Sequence, residues 1–412
     1  MSAAAADLRV DVVVVGGGLV GLTLGHALAS AGIVTAVVDR ESPADLADDA
    51  HDGRASAIAH GSERVLAALG IWEHAAQHAC PILDIRVSDG GFEAGASRLF
   101  LHYDHREVGD PLGYIVENRF IRRALYRGLE KRPDLKLIAP ARVEGLERIG
   151  ARVRAHLADG RGIKASLAIA ADGRSSPTRA AAGIAVTEWA YGQTAIVCAV
   201  AHERDHRNVA HERFLPAGPF AMLPLPGRSS SLVWTERSRI AGAMLALDDA
   251  GFAAELQRRF GDELGQLSVA GRRWSYPLGL LLAERSIDQR LALIGDAAHA
   301  IHPIAGQGLN LGIRDVAALA EVLVDASRLG LDIGQLDVLE RYQRWRRFDT
   351  LSLIAATDGL NRLFQTSLPP VKLARDLGLA VVNELPGLKR LFMRHAMGTL
   401  GDLPRLVQGL AL

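Results

Sequence analysis

The pattern of hydrophobic and polar residues near the N-terminus predicts a strand, a tight turn and a helix. β-Branched residues dominate 10–15, three glycines follow, and an alanine- and leucine-rich stretch continues to about Ala31. Gly32 stands where a left-handed residue commonly ends a helix, and 35–38 predict a second strand that ends at Asp39. A complete βαβ unit therefore fits within about thirty residues.

Three further elements are predicted later in the chain. Alternating apolar and polar residues over 152–172 indicate a β-hairpin around Asp159-Gly160, with 167–171 as its second strand. A strand is predicted at 291–294, and the apolar spacing over 309–329 predicts a long helix. These elements extend the core that begins with the βαβ unit over much of the chain.

A second domain is predicted between the parts of this core. Strand-like runs at 194–200 and 231–235 are separated by prolines, which is typical of a β-sheet with edge strands and turns. The chain is therefore predicted to be a mixed α/β protein, in which a discontinuous Rossmann-like domain is interrupted by a β-sheet domain and followed by a helical tail. The predicted boundaries are 1–80, 110–185 and 283–355 for the first domain, 81–109 and 186–282 for the second, and 356–412 for the tail.

The amino-acid composition argues against several classes of function. The 47 basic side chains balance the 47 acidic ones, so no excess of positive charge favours nucleic-acid binding. Cys80 and Cys198 are far apart, which gives no support for a disulfide framework or a zinc site. The N-terminus lacks a basic segment before an apolar one, and no run of about eighteen apolar residues occurs. We therefore expect a cytoplasmic protein without a membrane-spanning helix.

The glycine turn after the first strand predicts binding of an adenine dinucleotide. Gly16, Gly18 and Gly21 form a GxGxxG pattern that permits the turn, the approach of a pyrophosphate and close helix packing. Asp39 ends the second strand, where a carboxylate can accept hydrogen bonds from a ribose hydroxyl, and Arg40 follows it in the same predicted site. The alternative is a glycine turn that only packs. The pattern does not separate FAD from NAD, because both contain the same ADP half.

Two later segments complete a three-part pattern. Asp172-Gly173 follows a predicted strand, and GDAAH at 295–299 leads through His302-Pro303 to GQGLN at 306–310. Together with the glycine turn, these motifs resemble the pattern of FAD-containing aromatic hydroxylases, and their order is more specific than any single piece. Taken alone, Asp172-Gly173 is also typical of a simple turn.

This arrangement suits a flavin physically. Asp296 ends a strand, so its carboxylate can reach a ribityl hydroxyl, although capping the following turn is the alternative. Glycines near the start of the long helix keep side chains away from a flat ring, and the positive end of that helix stabilises negative charge on the reduced ring. His299 and His302 are predicted to have structural or hydrogen-bonding roles, because no third metal-ligand motif accompanies them. The predicted flavin contacts in these segments are Asp172, Asp296, Pro303, Gly306, Gly308, Leu309 and Asn310.

Within that family, the chain resembles the ubiquinone-biosynthesis hydroxylases. The likeness rests on DGRASAI at 52–58, GDAAHAIHPIAGQGLNLGIRD at 295–315, TDGLNRLF at 357–364 and LKRLFMRHAMG at 388–398. The resemblance implies a fold like that of para-hydroxybenzoate hydroxylase, with Arg54 and Asn118 as further FAD contacts. It also implies that WSYPL at 274–278 reaches the substrate side of the flavin, and ordinary core packing is the alternative for that segment.

The resemblance also implies the chemistry. FAD is the cofactor, and NADH or NADPH binds transiently as the reductant, because no second glycine motif is present to hold it. Oxygen then reacts, as a flavin C4a-hydroperoxide, with the ring of a polyprenylated phenol. No catalytic residue follows from the sequence. The alternatives are a hydroxylase of a soluble phenolic acid and a non-catalytic protein that binds prenylated molecules on an FAD-binding fold.

The C-terminal tail combines apolar residues with the basic residues Lys389, Arg390 and Arg394. This mixture predicts peripheral contact with the inner face of a membrane, or contact with a complex of ubiquinone-biosynthesis proteins. Burial against the folded domain is the alternative. The apolar residues are Leu377, Leu379, Val381, Val382, Leu385, Leu388, Leu391, Phe392 and Met393.

Overall fold

The computed structural model describes residues 7–44, 53–91, 95–365 and 384–412 of the chain. The strands are β1 Leu8–Arg9, β2 Val12–Val15, β3 Thr35–Val38, β4 Ala55–Ala59, β5 Cys80–Ile82, β6 Asp84–Gly91, β7 Gly95–Asp104, β8 Gly113–Glu117, β9 Leu135–Ile138, β10 Val143–Ile149, β11 Arg152–Leu157, β12 Gly162–Ala165, β13 Leu167–Ala170, β14 Val186–His202, β15 Val209–Leu215, β16 Gly218–Leu225, β17 Ser229–Arg237, β18 Leu267–Ala283, β19 Ile287–Asp288, β20 Leu291–Leu293 and β21 His299–Ala300. The α-helices are α1 Leu19–Ser30, α2 His60–Ala68, α3 Trp72–Ala75, α4 Asn118–Gly128, α5 Pro177–Ala181, α6 Ser238–Leu245, α7 Asp249–Phe260, α8 Gln307–Arg328, α9 Leu336–Gln365 and α10 Pro386–Ala396.

A six-stranded sheet carries the N-terminal glycine turn, in the order β19-β20-β13-β2-β3-β9. Its strands are parallel except for β19, which pairs antiparallel to β20. The predicted βαβ unit is confirmed, because α1 joins β2 to the parallel neighbour β3. Both faces of β2 are buried, one under α1, α4 and α8 and the other under a smaller sheet of order β1-β12-β11-β10. Covering both faces is what a parallel sheet requires.

The hairpin predicted over 152–172 is partly wrong. β11 and β12 form an antiparallel hairpin, whereas β13 leaves it and inserts between β2 and β20 in the six-stranded sheet. All four residues of β13 are apolar and buried, which is typical of a central parallel strand and not of a half-exposed hairpin strand. Asp172 therefore follows a central strand of the parallel sheet.

An eight-stranded sheet forms the second large layer, in the order β21-β18-β14-β17-β16-β15-β6-β7. It is antiparallel apart from the pairing of β15 with β6. One face packs against α6 and α7, where Trp234, Phe252 and Phe260 are fully buried. The predicted mixed α/β class, with a β-sheet inserted between parts of a discontinuous parallel sheet, is confirmed.

The C-terminal helices connect the layers. Near the end of α9, Phe364 stacks on Phe214 of β15 with ring centroids 3.7 Å apart. Met393 of α10 is buried in a cluster with residues of a three-stranded sheet of order β4-β8-β5. The tail residues Leu377, Leu379, Val381 and Val382 lie outside the described residues.

Within the part of the chain that the structure describes, no helix is both long enough and apolar enough to cross a lipid bilayer.

Candidate functional site

A cavity of about 1230 Å³ lies between the carboxyl ends of the parallel strands and one face of the eight-stranded sheet. This edge of a parallel sheet is where α/β proteins bind their ligands. The volume exceeds the roughly 300–1,000 Å³ of most small-ligand pockets, so a dinucleotide and a second ligand can share it. The predicted cofactor residues that line it are Gly18, Gly21, Arg54, Asn118, Asp296, Pro303, Gly306, Gly308, Leu309 and Asn310.

The glycine turn leaves room for close contact with a ligand. Gly16 has a φ of +105°, and a Cβ at this position would collide with the carbonyl group of Ala171, the residue that follows the adjacent strand β13. A Cβ at Gly18 would meet no atom within 4 Å, because this residue faces the open cavity. α1 begins at Leu19, and no described side chain caps its first amides. These N–H groups are therefore directed at the space that a pyrophosphate needs.

Asp39 supports this turn, whereas Arg40 does not. The Asp39 carboxylate accepts hydrogen bonds from the backbone N–H groups of Gly17 at 2.5 Å and Glu41 at 2.8 Å. Arg40 is exposed and forms a loose ion pair with Glu41, with 3.8 Å between the charged atoms. The structure therefore places Asp39 beside the glycine turn and leaves Arg40 outside the cavity.

Asp172 acts as a helix cap. Its carboxylate accepts hydrogen bonds from the hydroxyl group of Ser176 and from the backbone N–H of Thr178 at 3.0 Å, at the start of α5. Carboxylates at this position satisfy helix amides that lack an intrahelical partner. The Asp172 carboxylate is thus engaged at the start of α5, and its contact with a flavin stays a prediction.

The turn after β20 presents one carboxylate to the cavity. The Asp296 side chain is accessible from the cavity, while protein encloses it on its other sides. Burial raises the pKa of Asp296, and the positive charges of His299, Arg54 and Arg174 oppose this increase. A carboxyl group in this position can form hydrogen bonds with the hydroxyl groups of a bound ligand.

A buried ion network holds this turn from behind. Asp315 of α8 accepts hydrogen bonds from the Gly295 N–H at 3.0 Å, from His299 Nε2 at 2.6 Å and from Arg346 Nε at 2.8 Å. Arg346 of α9 also donates to Asp349 at 2.5 Å. Burial alone would raise the pKa of Asp315, but the charges of His299 and Arg346 lower it to about 2. Asp315 is therefore ionised, and it joins the turn to two helices.

Asn310 of the GQGLN segment positions one wall of the cavity. Its Nδ2 donates to the carbonyl groups of Ala57 at 2.8 Å and Gly306 at 3.1 Å, and its Oδ1 accepts from the Ala59 N–H at 2.9 Å. Both amide hydrogens are thus used to hold β4 against the start of α8. A Cβ at Gly308 would meet no atom within 4 Å, so the first turn of α8 is open toward the cavity.

Cationic side chains border the same cavity. The Arg54 guanidinium lies 5.1 Å from the ring centroid of Tyr276, which also lines the cavity. Arg54 and Asn118 were predicted from the sequence, whereas two further arginines that line the cavity, Arg122 and Arg174, were not. Arg122 is buried on α4, one helical turn after Asn118. Asn118 and Arg122 are four residues apart, a spacing that places both side chains on one face of a helix, and this spacing was the sequence signal for Arg122.

The eight-stranded sheet contributes the second wall. Ala195, Ala210 and Ala221 face the cavity from three strands, and their small side chains leave space above the sheet. In the predicted substrate-side segment at 274–278, the last three residues line the cavity, whereas Trp274 packs near Gly53. This wall is therefore mostly apolar.

Tyr103 is a polar group of this wall, and the sequence analysis missed it. Burial, followed by the nearby charge of Glu212, raises the pKa of Tyr103 to about 12. The phenol of Tyr103 is therefore protonated at neutral pH, and it can donate a hydrogen bond into the cavity or accept one.

Comparison with known proteins identifies the family. Residues 9–347 match the family described as FAD binding domain. The chain is 52% identical to the ubiquinone hydroxylase UbiL of Rhodospirillum rubrum, over 99% of this chain and 94% of the relative. It is 36% identical to the 3-demethoxyubiquinol 3-hydroxylase of Escherichia coli, over 94% of this chain and 98% of the relative. The chain therefore belongs to the FAD-dependent hydroxylase family of ubiquinone biosynthesis.

The fold agrees with a solved structure of a more distant protein. The p-nitrophenol 4-monooxygenase PnpA of Pseudomonas putida matches with a TM-score of 0.78 at 19% identity. The match covers 96% of this chain and all of that one. This likeness shows a shared fold, and that fold belongs to the para-hydroxybenzoate-hydroxylase type that the sequence predicts.

The cofactor of this family is FAD, and the residues of the cavity fit it. The open space at Gly18 and the uncapped start of α1 suit the pyrophosphate, and Asp296 suits a polyhydroxylated chain. The exposed first turn of α8 around Gly308 suits a flat ring that carries negative charge when reduced. Gly16 and Asp39 shape the turn without lining the cavity.

Proposed function

We propose that this chain hydroxylates the aromatic ring of a prenylated phenol in ubiquinone biosynthesis, with NAD(P)H and O₂ as cosubstrates. One oxygen atom is inserted into a ring C–H bond. The other leaves as water with a hydride from NAD(P)H and one proton. The observation that carries the proposal is a single cavity that joins the cofactor side, at Gly18 and Asp296, to the apolar wall of the eight-stranded sheet. The ubiquinone hydroxylase and the 3-demethoxyubiquinol 3-hydroxylase to which the chain is similar support the same class of substrate.

Side chains on the two walls of the cavity have different roles, one in binding the cofactor and the other in enclosing the substrate. When bound, FAD accepts the hydride and activates oxygen. The first amides of α1 and the carboxyl group of Asp296 bind and orient the cofactor. Ala195, Ala221 and Met393 form an apolar lining that excludes water from the reacting ring. The Tyr103 hydroxyl is placed to hydrogen-bond the oxygen of a phenol in the same space.

The first experiment is the absorption spectrum of the purified protein, followed by NAD(P)H oxidation in air with and without a farnesylated phenol. We expect a flavin spectrum, phenol-stimulated oxidation and a product heavier by one oxygen atom. Oxidation without product would contradict the proposal. Greater activity on a short phenolic acid, with no gain from the prenyl chain, would favour the soluble-substrate alternative.

A pair of tyrosine variants separates the substrate wall from general effects. Tyr103→Phe removes a hydroxyl from the cavity, and we expect kcat/KM for the phenol to fall about tenfold, the effect of losing about one hydrogen bond. Tyr114→Phe is the matched control, because Tyr114 is partly buried on β8 and does not line the cavity. Equal activity of the two variants would remove Tyr103 from the proposed substrate site.

We also infer that the chain contacts a membrane surface through α10. Leu388, Leu391 and Phe392 are 37%, 46% and 44% exposed. Arg390 and Arg394 are exposed beside them. α10 contains no acidic residue, so an anionic lipid surface is its complement.

The opposite face of α10 and the residue that follows it line the cavity. Met393, Ala396 and Met397 line it, and the buried Lys389 holds the helix in place through an ion pair of 2.6 Å with Glu107. A helix that faces lipid on one side and the cavity on the other suits a substrate with an isoprenoid chain. A second copy of the chain is a poorer partner, because two such faces would bring like charges together.

Flotation with vesicles tests this contact. We expect binding to phosphatidylcholine vesicles that contain phosphatidylglycerol, and none to phosphatidylcholine alone. Arg390→Gln/Arg394→Gln should weaken binding about thirtyfold, because each cation contributes about 1 kcal/mol near an anionic surface. The control Arg142→Gln/Arg161→Gln removes the same charge from two exposed surface ion pairs elsewhere. Equal loss in both double variants would exclude α10 as the contact.

A further inference from the structure

Gln193 lies at a bulge in β14 that turns its side chain into the protein. The pairing of β14 with β18 shifts between Ala190 and Gln193, and Gly192 within this bulge has a φ of +66°. The Gln193 side chain is buried, and its Nε2 donates to the carbonyl group of Ala217 at 2.7 Å. A Cβ at Gly218 would lie 2.6 Å from this nitrogen, so glycine is needed beside it.

The other end of the carboxamide holds two more elements. Its Oε1 is 3.2 Å from His302 Nε2 and accepts a hydrogen bond from Asn361 Nδ2 at 3.4 Å. Because the carbonyl group of Ala217 can only accept, the amide nitrogen must face it and the amide oxygen must face His302. His302 Nε2 therefore carries a hydrogen. Burial lowers the pKa of His302 to about 4, although the charge of Asp358 opposes this decrease. The ring is therefore neutral at neutral pH, and its Nδ1 carries no hydrogen.

These contacts reach the cofactor side of the cavity. His302 is fully buried and directly precedes Pro303, which lines the cavity next to the GQGLN segment. Asn361 belongs to the TDGLNRLF segment at the end of α9, a motif to which the proposed function gives no role. One carboxamide thus joins the eight-stranded sheet, the loop before α8 and the end of α9.

We propose that Gln193 is a positioning residue for the loop that faces FAD: it holds His302 as the neutral ring protonated on Nε2 and thereby fixes Pro303 in the cavity wall. The inference depends on the FAD site and not on the identity of the phenol. A failure to hydroxylate prenylated phenols would therefore leave it intact.

The groups that face His302 influence its pKa. Tyr191 of β14 lies against it with ring centroids 5.0 Å apart. Asp358 of α9 is the acidic group that opposes the effect of burial on His302, and it is paired with Arg362 at 2.9 Å. On the segment of His302 itself, His299 is engaged by Asp315. In this environment the acceptor supplied by Gln193 determines which ring nitrogen is protonated.

Gln193→Glu tests the proposal. The carboxylate in this variant still accepts from His302, but it faces the Ala217 carbonyl without a hydrogen to donate. In its ionised form it favours an imidazolium at His302, and the two groups should titrate together near neutral pH. The FAD dissociation constant of the apoprotein should then change at least about fivefold between roughly pH 6 and 8, the range in which histidine normally titrates. In the wild type, the FAD dissociation constant should not change across that range of pH. Gln193→Glu/His302→Gln lacks the titrating ring and should lose the change.

Two further measurements complete the test. Side-chain ¹⁵N NMR of the apoprotein should show His302 protonated only on Nε2 in the wild type at pH 7 and on both nitrogens in Gln193→Glu. Gln193→Met keeps the size of the side chain without its hydrogen bonds, and it should weaken FAD binding about tenfold, or about 1.4 kcal/mol. Unchanged FAD affinity in this variant would overturn the proposal.

Gln257→Glu is the matched control. The Gln257 amide also donates to backbone carbonyl groups, those of Gly261 at 2.8 Å and Gly265 at 3.1 Å, but it does not line the cavity. This variant should lower the melting temperature without making FAD affinity depend on pH. The proposal is overturned if Gln193→Glu gives no pH-dependent change, if the change persists without His302, or if Gln257→Glu produces the same change.

Discussion

Replacing Asp315 with asparagine removes the central charge of the ion network behind the Gly295-Asp296 turn. The Asp315 side chain is 1% exposed, and its pKa of about 2 lies below the ordinary value of 3.8. At 1.36 kcal/mol per pKa unit, this difference corresponds to about 2 kcal/mol in favour of the ionised form. Breaking a buried ion pair costs roughly 3–5 kcal/mol, but Asp349 still compensates Arg346. We therefore expect Asp315→Asn to lower the free energy of unfolding by about 2–3 kcal/mol.

Urea unfolding of the apoprotein measures this loss. Asp325→Asn on the same helix is the matched control, because Asp325 pairs with Arg405 at 2.5 Å in a partly exposed position. A surface ion pair of this kind contributes at most about 1 kcal/mol. The FAD dissociation constant should also rise in Asp315→Asn alone, since the hydrogen bond that holds Gly295 weakens. Equal losses of unfolding free energy in the two variants would refute the reasoning.

Three other outcomes are expected. Gly16→Ala should abolish FAD binding, because its Cβ meets the Ala171 carbonyl, whereas Gly32→Ala is strained by a φ of +81° but meets no neighbouring atom and should retain FAD in a spectral titration. Stability should fall as the pH drops from about 6.5 to about 4, because the unfolded chain binds protons that the buried His26, with a pKa of about 4, does not; His26→Gln should make the unfolding free energy less steep in pH over this range by the contribution of one histidine, while that of His302 remains. Glu107→Gln leaves Lys389 unpaired and should speed proteolysis of α10, while Glu144→Gln, at an exposed ion pair, should not.

The sequence predicts features that are contiguous along the chain. The βαβ unit depends on 12–38 alone, so its strands, helix and Gly32 cap could be read from local pattern. The GQGLN segment likewise begins a helix within two residues of the predicted start. The central strand β13 was misassigned because it follows β12 directly along the chain and because pairing with β2 cannot be read from a local pattern.

The missed features depend on residues that are distant in sequence. Asp315 lies within a quoted motif, but Arg346 comes from the next helix and no local pattern joins the two. Gln193 resembles any polar residue of a strand until the bulge turns it inward. The hydrogen bonds that Asp172 accepts from Ser176 and Thr178 at the start of a helix are visible only in the structure, and its contact with the flavin stays a prediction.

The order of strands in the parallel sheet has a consequence for the synthesis of this protein. β2 is made first, but its neighbour β13 and the next strand β20 follow at residues 167–170 and 291–293. During synthesis, about three hundred residues must therefore be added after the glycine turn before the strands that complete its cavity are present. Until β13 is made, β2 has an open edge, and β13 then has one until β20 follows; such an edge is a hazard for aggregation in a nascent chain. The residues that line the cavity extend from Gly18 to Met397, so FAD can be captured only late in the maturation of this chain, and a cell that lacks FAD would accumulate the polypeptide with an empty cofactor cavity.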